Sequence, residues 1–390
     1  MSPVRMAPSR RTRRFVSVPP CSLGSARRPT VTVVIPNYNY ARFLPGAVHS
    51  ALTQVDVSVE VIIVDDASTD ESAQVAADLV ASDGRISFLA QHSNRGPVDT
   101  FNHGLERVRS DYLVRLDADD LMTPGSLVRS VALAEAYPRV GLVYGHPVHF
   151  TEAAQSTVHR ERGWAHPFVV PRGTLPPART TVDAWLIWNG LDWLTDRCRT
   201  GLNVITSPEV LMRRSVVDHV GGQRQLAHTH DMEMWLRIAA YSDIGYVSGA
   251  DQAWHREHPD SLSTRESNEL TDLRERGDAF TVLFDGVGDD VPDGRLLLDS
   301  ARRALAMESM ALASHEFDRA RADAQRTAEL MEFAASVWSP SVHTKQWRAL
   351  ESRRRSGTGG LARTVSSGFA AAQRRLEFEL RLTRWERRGH

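Results

Sequence analysis

Residues 112–120 read YLVRLDADD, an apolar-leaning run that ends in three aspartates, Asp117, Asp119 and Asp120, within four positions. The run has the length and composition of a short buried β-strand. Carboxylates held this close raise each other's pKa unless a cation lies between them or the segment is a solvated turn. The stretch therefore predicts either a cation site at the end of a strand or an exposed acidic turn, and the rest of the sequence has to decide.

Strand-like and helix-like segments alternate regularly on both sides of this stretch. The predicted strands are 31–36, 59–66, 85–90, 112–116 and 141–145, and the predicted helices lie at about 43–52, 68–82, 96–109 and 123–137. Ser68 and Glu71 have the spacing of a capping box, and Thr123-Pro124 has the form of a helix start. Such alternation requires crossover connections, so we expect an α/β fold with a mainly parallel central sheet.

The acidic residues follow the ends of these strands. Asp65-Asp66 ends the second predicted strand, and Asp117 and Asp119 end the fourth. Ligands of open parallel sheets bind beyond the carboxyl ends of the strands, so both carboxylate groups are expected at one edge. In an extended strand end, residues i and i+2 point to the same side, which would aim Asp117 and Asp119 at one point. Carboxylates with no histidine cluster suit Mg²⁺ held together with substrate phosphates.

The second half of the chain is less regular. Residues 146–180 lack periodicity and are predicted to form a loop over the same edge, followed by a Trp-rich helix at 182–194. A helix at 231–241 and a strand at 244–248 come next. From about residue 268 the pattern is helical to the end, with a helical hairpin at 297–335 and a break at 357–360.

Composition excludes several classes of protein. The chain has 390 residues, a formal net charge of −1 and two cysteines, which provide neither a disulfide framework nor a zinc site and fit a reducing compartment. It has no apolar run of 18 residues, so we predict no membrane span and a cytoplasmic location. Residues 1–29 contain seven arginines and no acid and are predicted to be a disordered arm. A nucleic-acid partner is not expected, because arginine-rich tails are usually solvated.

Four blocks in order carry a resemblance to a known family. VTVVIPNYNYARFLPGAVHSALTQ (31–54), VEVIIVDDASTDES (59–72), NRGPVDTFNHGL (94–105) and YLVRLDADDLMTPGSL (112–127) resemble the N-terminal half of family 2 glycosyltransferases, which have the GT-A fold. A weaker resemblance continues through SPEVLMRRSVVDHVGG (207–222), HDMEMWLRIAA (230–240) and WHREHPDSLS (254–263). Four blocks in one order are more specific than the short D-x-D pattern alone, which by itself favours a solvated turn.

The resemblance implies transfer of a sugar from a nucleotide-diphosphate sugar to an acceptor, with inversion at the anomeric carbon. It places Pro36 and Tyr38 beside the nucleoside and Asp66 on the base, where it would accept the N3–H of uracil or thymine. Asp117 would lie near the ribose or a metal-bound water. The residues matching the donor-side loop are Asn94, Arg95 and Asn102.

The same resemblance implies a divalent cation, Mg²⁺ or Mn²⁺, bound by Asp119, with His258 at a position that often contacts the metal or the diphosphate. Asp231 matches the catalytic base. This agrees with the chemistry of the reaction, because a metal stabilises the charge on a diphosphate leaving group and a carboxylate can take the proton of the acceptor hydroxyl. The simpler alternative for Asp231 is a helix N-cap.

Two features depart from the family pattern. His230 stands where members usually have Glu before the catalytic Asp, and we expect it to be a structural or acceptor contact. The Q-x-x-R-W motif of processive synthases is absent, since residues 233–237 read EMWLR. Together with the lack of membrane spans, this favours transfer of one sugar per acceptor.

The sequence lacks the motif that two other enzyme classes require. A nucleotide-sugar pyrophosphorylase or a dinucleotide-binding oxidoreductase needs a glycine-rich loop after the first strand, where this chain has Pro36 to Asn39. A catalytically weak scaffold, whose helical tail binds a partner or the inner membrane surface, is the alternative to an enzyme. The predicted organisation is an arm (1–29), a nucleotide-sugar half (30–145), an acceptor and catalytic half (146–267) and a helical region (268–390). The acceptor, the donor sugar and the oligomeric state stay open.

Overall fold

The predicted strands pair into one mixed sheet. The structure is a computed structural model that describes residues 15–24, 28–152, 168–170, 174–258, 268–319, 323–356 and 389. Its strands are β1 (Phe15–Val18), β2 (Thr30–Asn37), β3 (Ser58–Asp65), β4 (Ile86–Ala90), β5 (Tyr112–Arg115), β6 (Leu121–Met122), β7 (Val140–Glu152), β8 (Phe168–Val170), β9 (Ala184–Trp188), β10 (Leu211–Arg213) and β11 (Asp243–Arg256).

Their order in the sheet is β1-β9-β11-β7-β10-β5-β2-β3-β4, with β6 paired to β11 and β8 to β7. The central pairs β5/β2, β2/β3 and β3/β4 are parallel, as is β7/β11. Strand β10 runs antiparallel between β5 and β7. The α/β fold with a mainly parallel central sheet is confirmed. Because β2, β3 and β5 are parallel, their carboxyl ends share one side of the sheet; we call these ends and the residues directly after them the carboxyl edge.

Helices cover both faces of the sheet. They are α1 (Leu44–Leu52), α2 (Ser72–Ser82), α3 (Pro97–Leu105), α4 (Ser126–Ala136), α5 (Gly190–Thr200), α6 (Arg214–Val220), α7 (His230–Tyr241), α8 (Glu269–Val287), α9 (Gly294–Asp318), α10 (Ala324–Val337) and α11 (Lys345–Ser356). Short 3₁₀ turns lie at Gly288–Asp290 and Ser339–His343. The predicted helix at 231–241 and the hairpin at 297–335 are confirmed as α7 and as α9 with α10.

The central strands are buried on both faces, as their unbroken apolar runs predict. Val31, Val33 and Ile35 of β2 belong to a core with α1 and α4, while Val34 belongs to a second core with α3, α5 and α7. The second core also takes in α8, α9 and α10. The C-terminal helices are therefore packed against the sheet domain through a shared core.

Two predicted helix starts are wrong. Helix α2 begins at Ser72, because the Ser68 hydroxyl donates to Asp65 Oδ1 at 2.6 Å and accepts from the backbone N–H of Asn39. Helix α4 begins at Ser126 after Gly125, because the Thr123 hydroxyl donates to the carbonyl of Asp251 at 2.5 Å. In both cases a contact with another part of the chain competes with the local cap.

The second half differs more from expectation. The predicted loop at 146–180 contains the end of β7 and strand β8, and the predicted Trp-rich helix at 182–194 is strand β9 followed by α5. Residues Ala184–Trp188 are strand because they pair with both β11 and β1. Strand β1 itself lies within the expected disordered arm. Such long-range pairing leaves no local trace in the sequence.

Candidate active site

The DADD sequence at the end of β5 forms a turn and not an extended strand end. The N–H of Asp120 donates to the carbonyl of Asp117 at 3.0 Å. The expectation that Asp117 and Asp119 aim at one point is therefore wrong, because the alternation of an extended strand does not hold within a turn. Each of the three carboxylates has a different cationic or histidine partner. Their repulsion is relieved by three separate contacts.

Asp119 pairs with the predicted second metal residue. Its Oδ2 lies 2.8 Å from Nε2 of His258, whose side chain is fully buried. The rings of Tyr40 and Phe43, from the loop after β2, lie 5.6 and 5.4 Å from the His258 ring. Strand β11 brings His258 here, since it pairs with β6 directly after the DADD turn. The two residues that the resemblance assigns to the metal are thus in contact.

Asp120, which was not predicted as a site residue, ties the turn to β11. It is fully buried and accepts from the backbone N–H of Arg256 at 2.8 Å, and it lies 2.9 Å from Nδ1 of His255. Burial raises the pKa of Asp120 to about 6, whereas the Asp120 carboxylate, against the opposing effect of burial, raises the pKa of His255 to about 10. An imidazolium beside Asp120 therefore anchors the turn that presents Asp119.

Asp66 lies at the same edge and holds a loop. Its Oδ1 accepts from the N–H of Arg95 at 2.7 Å, and its Oδ2 accepts from the N–H of Gly96 at 2.8 Å. Each carboxylate oxygen has a second lone pair, so one further donor can be accepted. Asp65 instead bonds Asn37 and Ser68.

The other residues predicted to contact the nucleotide sugar differ in exposure and contacts. Tyr38 is 44% exposed, and the Arg95 side chain is 57% exposed and 3.5 Å from Asp99. Asn94 is exposed, and Pro36 is half-buried beside Val64 of β3. Asn102 is used structurally, because its amide makes two 2.8 Å hydrogen bonds with the backbone of Gln223.

Asp231 is the second residue of α7 and not its N-cap, which is Thr229. The alternative that Asp231 is the N-cap of this helix is therefore wrong. Asp231 Oδ1 accepts from the N–H of Met232 at 2.5 Å, and Oδ2 accepts from the Ser207 hydroxyl at 3.2 Å. Burial raises the pKa of Asp231, opposed chiefly by the charge of Arg115. A carboxylate with a raised pKa suits proton acceptance.

Two interactions fix the surroundings of Asp231. Arg237 forms a buried ion pair with Glu233 at 2.9 Å and donates to the carbonyl of Gly222 at 2.7 Å, which anchors α7 to the loop after α6. Glu209 bonds both the N–H and the hydroxyl of Thr206, and burial raises its pKa to about 8. Glu209 and Ser207 were not predicted, and nothing local in the sequence indicates them.

Arg115 links the carboxyl edge to α7. One of its guanidinium nitrogens lies 2.8 Å from Asp117 Oδ1, and the other lies 2.9 Å from Nε2 of His230, the neighbour of Asp231. Arg115 was not predicted as a site residue, although an arginine within a buried apolar strand is a signal that the sequence offers.

In the part of the chain described here, no group of three or more His, Cys, Asp or Glu side chains could hold a metal ion by itself.

Comparison with known proteins identifies the family that the first part of the chain resembles. The model named "Glycosyl transferase family 2" matches residues 32–220, which include the DADD turn and Ser207. Residues 32–220 are a family 2 glycosyltransferase domain. The matched part ends before Asp231 and His258.

Relatives found by sequence comparison match only part of this chain. An uncharacterized glycosyltransferase of Nostoc sp. is 36% identical over 115 residues, which are 29% of this chain and 35% of that protein. The putative glycosyltransferase EpsE of Bacillus subtilis is 26% identical over 222 residues, 56% of this chain and 69% of that protein. The chain thus spans about a third of the first of these relatives.

The GT-A fold extends beyond the family match. The structure of S. aureus TarS 1–349 in complex with UDP-GlcNAc superimposes with a TM-score of 0.54 at 13% identity, over 84% of this chain and 92% of that one. The superposition therefore includes much of the second half. Among the described helices, none is long and apolar enough to cross a membrane.

Proposed function

We propose that this chain transfers one sugar from a UDP- or dTDP-sugar to an acceptor hydroxyl, with inversion at the anomeric carbon. The observation that carries the proposal is the link through Arg115, which is within 2.9 Å of both Asp117 of the carboxyl edge and His230 of α7. A donor held at the carboxyl edge would lie close to Asp231. Transfer between two bound molecules needs this adjacency of a binding edge and a base.

The donor nucleotide is proposed to lie along the carboxyl edge. Tyr38 and Pro36 would contact the nucleoside, and Asp66 would accept the N3–H of uracil or thymine with the lone pairs that Arg95 and Gly96 leave open. The TarS structure of the same fold holds UDP-GlcNAc. A cytosine has no N–H at N3 to offer to Asp66, so a UDP- or dTDP-sugar is the favoured donor.

The two side chains in contact at Asp119 could serve as ligands of a divalent cation. One carboxylate oxygen and one imidazole nitrogen, already 2.8 Å apart, are fewer ligands than Mg²⁺ or Mn²⁺ takes, and Mg²⁺ commonly completes its shell with waters and substrate phosphates. Asp119 and His258 would hold the ion, with Asp117 near the ribose. When bound, the cation would neutralise charge on the diphosphate leaving group.

The protein's own side chains then have separate tasks. His255 and Asp120 hold the turn that presents Asp119, so that it need not reorganise when the donor binds. Asp231 takes the proton of the acceptor hydroxyl as that oxygen attacks the anomeric carbon from the face opposite the leaving diphosphate. Attack and departure on opposite faces in a single displacement invert the anomeric configuration.

The alternative is a catalytically weak scaffold whose helical tail binds a partner or a membrane surface. The sequence near the end of the chain combines Leu376, Leu380 and Trp385 with several arginines, a pattern that would allow contact with a membrane surface, and these residues lie outside the described part of the chain. Helices α8 to α10 share the core of the sheet domain, which favours a structural role for them. Liposome sedimentation of the full chain and of a variant lacking residues 357–390 tests the membrane part of the alternative.

Donor screening tests the proposed activity. UDP-, dTDP-, GDP- and CDP-sugars would be incubated with the protein and Mn²⁺ or Mg²⁺, and release of the nucleoside diphosphate and the shift in melting temperature would be measured. We expect turnover and thermal stabilisation with UDP- or dTDP-sugars, and turnover slower by roughly 10²–10⁴-fold with Asp231→Asn. Absence of both effects with every donor would favour the scaffold.

A further inference from the structure

A buried arginine joins the two parts of the site. Arg115 is the last residue of β5, its side chain is 7% exposed, and it lies on the sheet face that carries α3, with the ring of Phe101 6.0 Å from its guanidinium carbon. Removing a guanidinium from water is costly unless it is paired. A buried arginine next to a reaction site therefore indicates partners that it must hold.

Its two partners differ in charge. Asp117 supplies a carboxylate oxygen at 2.8 Å, whereas His230 supplies Nε2 at 2.9 Å. A guanidinium only donates, so Nε2 of His230 has to accept, and the imidazole is neutral with its proton on Nδ1. Burial, together with the charge of Arg115, lowers the pKa of His230 to about 3, which agrees with this assignment.

His230 is thereby excluded as a second base. Its acceptor nitrogen is occupied by Arg115, and its other nitrogen carries the proton. A neutral acceptor fixes the guanidinium without neutralising it, so within the described part of the chain Asp117 is the acid that balances the charge of Arg115 through direct contact. Among the described residues, the groups that act on Asp231 are the charge of Arg115 from β5, the Ser207 hydroxyl from the loop before β10, and the N–H of Met232 from α7.

We propose that Arg115 and His230 are positioning residues, which set the distance between the carboxyl edge and α7 and keep a positive charge beside Asp231. In this arrangement Arg115 favours the ionised form of Asp231 before the acceptor proton arrives, and His230 holds Arg115 in place as a neutral acceptor. The inference rests on the proposed transferase function, in which Asp231 is the base.

The test uses the full chain, a UDP- or dTDP-sugar with Mn²⁺, and water in place of the unidentified acceptor. The kcat of nucleoside diphosphate release would be measured from pH 5 to 9 for the wild type, Arg115→Met, Arg115→Lys, His230→Gln, His230→Met and the control His228→Gln. Melting temperature and UDP affinity by calorimetry would be measured on each.

Removal of the positive charge of Arg115 should shift the dependence of kcat on pH. In Arg115→Met we expect kcat at pH 7 to fall about tenfold or more and the acid limb of the profile to move up by about one pH unit, because an opposite charge near a carboxylate lowers its pKa by roughly that amount. Arg115→Lys keeps the charge but not both contacts, so its kcat should fall without movement of the acid limb. If Arg115→Met does not fold, the fall of kcat in Arg115→Lys still tests whether both contacts of Arg115 are needed.

The histidine variants test the neutral acceptor. Gln offers an amide oxygen to Arg115, so His230→Gln should retain kcat within about threefold, whereas His230→Met, which lacks a good acceptor, should lose about tenfold. His228→Gln should behave as the wild type. An unmoved acid limb in Arg115→Met, or equal kcat in His230→Met and His230→Gln, would overturn the inference. A wild type with no donor turnover would instead overturn the proposed function.

Discussion

The carboxyl edge and helix α7 hold their carboxylates in different ways. Both oxygens of Asp66 accept backbone N–H groups, at 2.7 and 2.8 Å, and Asp120 is bound by a backbone N–H and an imidazolium. Asp231 accepts one backbone N–H and one hydroxyl at 3.2 Å, and burial raises its pKa. Burial also raises the pKa of Asp120, so the difference lies in the donors. Two strong donors commit Asp66 and Asp120 to holding the chain, whereas the weaker contacts of Asp231 leave it suited to take a proton. Substitutions of Asp66 and Asp119 on the carboxyl edge should therefore change nucleotide affinity, and those around Asp231 should change kcat.

The largest effect is expected for Asp231→Asn. An amide cannot take a proton from the acceptor, so kcat should fall by roughly 10²–10⁴, the usual share of general base catalysis. Folding should be nearly normal, because the amide oxygen can still accept the N–H of Met232. UDP affinity, measured by calorimetry, should stay within about twofold. The product of the wild type, examined by NMR, should have the inverted anomeric configuration.

Asp218→Asn is the matched control, because this exposed carboxylate on α6 pairs only with Arg214 in the described contacts and lies outside the site. It should leave kcat unchanged. Retention of most activity in Asp231→Asn, or of anomeric configuration in the product, would contradict the assignment of Asp231 as the base.

A smaller effect, of a different kind, is expected at Asp119. Removal of its carboxylate in Asp119→Ala should weaken UDP binding in the presence of Mn²⁺ at least about tenfold, while UDP binding in EDTA should be equally weak in both proteins. EDTA should abolish turnover of the wild type, and Mg²⁺ or Mn²⁺ should restore it. Full turnover in excess chelator would remove the metal from the proposal.

Base selectivity is the next effect in size. If Asp66 accepts the base N3–H, a base without that donor leaves the contact unmade at a cost of about 1–3 kcal/mol. UDP or dTDP should then bind at least about tenfold more tightly than CDP, and Asp66→Asn should reduce this ratio. Asp65→Asn is the control, since Asp65 bonds Asn37 and Ser68 and should affect stability alone. Equal binding of UDP, dTDP and CDP to the wild type would show that Asp66 does not read the base.

The carboxyl edge could be predicted from the sequence, and the rest of the site only in part. Strands β2, β3 and β5 follow from local apolar runs, and their parallel order follows from the intervening helices, so the common edge of Asp66, Asp117 and Asp119 was predictable. Its finer geometry was not. The DADD turn closes because Asp120 binds the far end of β11, more than 130 residues later.

The second half shows the same limit more strongly. Residues Ala184–Trp188 have an apolar run that fits a helix or a strand, and their pairing with β1 and β11 decides the outcome. Ser207 is recognisable as a site residue only because the fold brings α7 beside it. The family resemblance supplied Asp231 and His258, which no local pattern would have singled out.

The smallest expected effect concerns Ser207, and it tests whether a single hydrogen bond sets the protonation of Asp231. Its hydroxyl donates to Asp231 Oδ2 at 3.2 Å, and this bond favours the ionised carboxylate. Because the base acts only when ionised, kcat should fall as pH drops through the pKa of Asp231, which burial places above its ordinary value of 3.8. Ser207→Ala removes a hydrogen bond to the ionised form, so the pKa should rise further and the acid limb should move to higher pH by less than about one unit. On the plateau of the profile above the acid limb, where kcat no longer changes with pH, kcat of the two proteins should agree within about twofold, and UDP affinity should be unchanged. Ser82→Ala, at an exposed hydroxyl at the end of α2, is the control. A shift of the limb to lower pH, or a loss of UDP affinity without any shift, would show that Ser207 does not act through the protonation of Asp231.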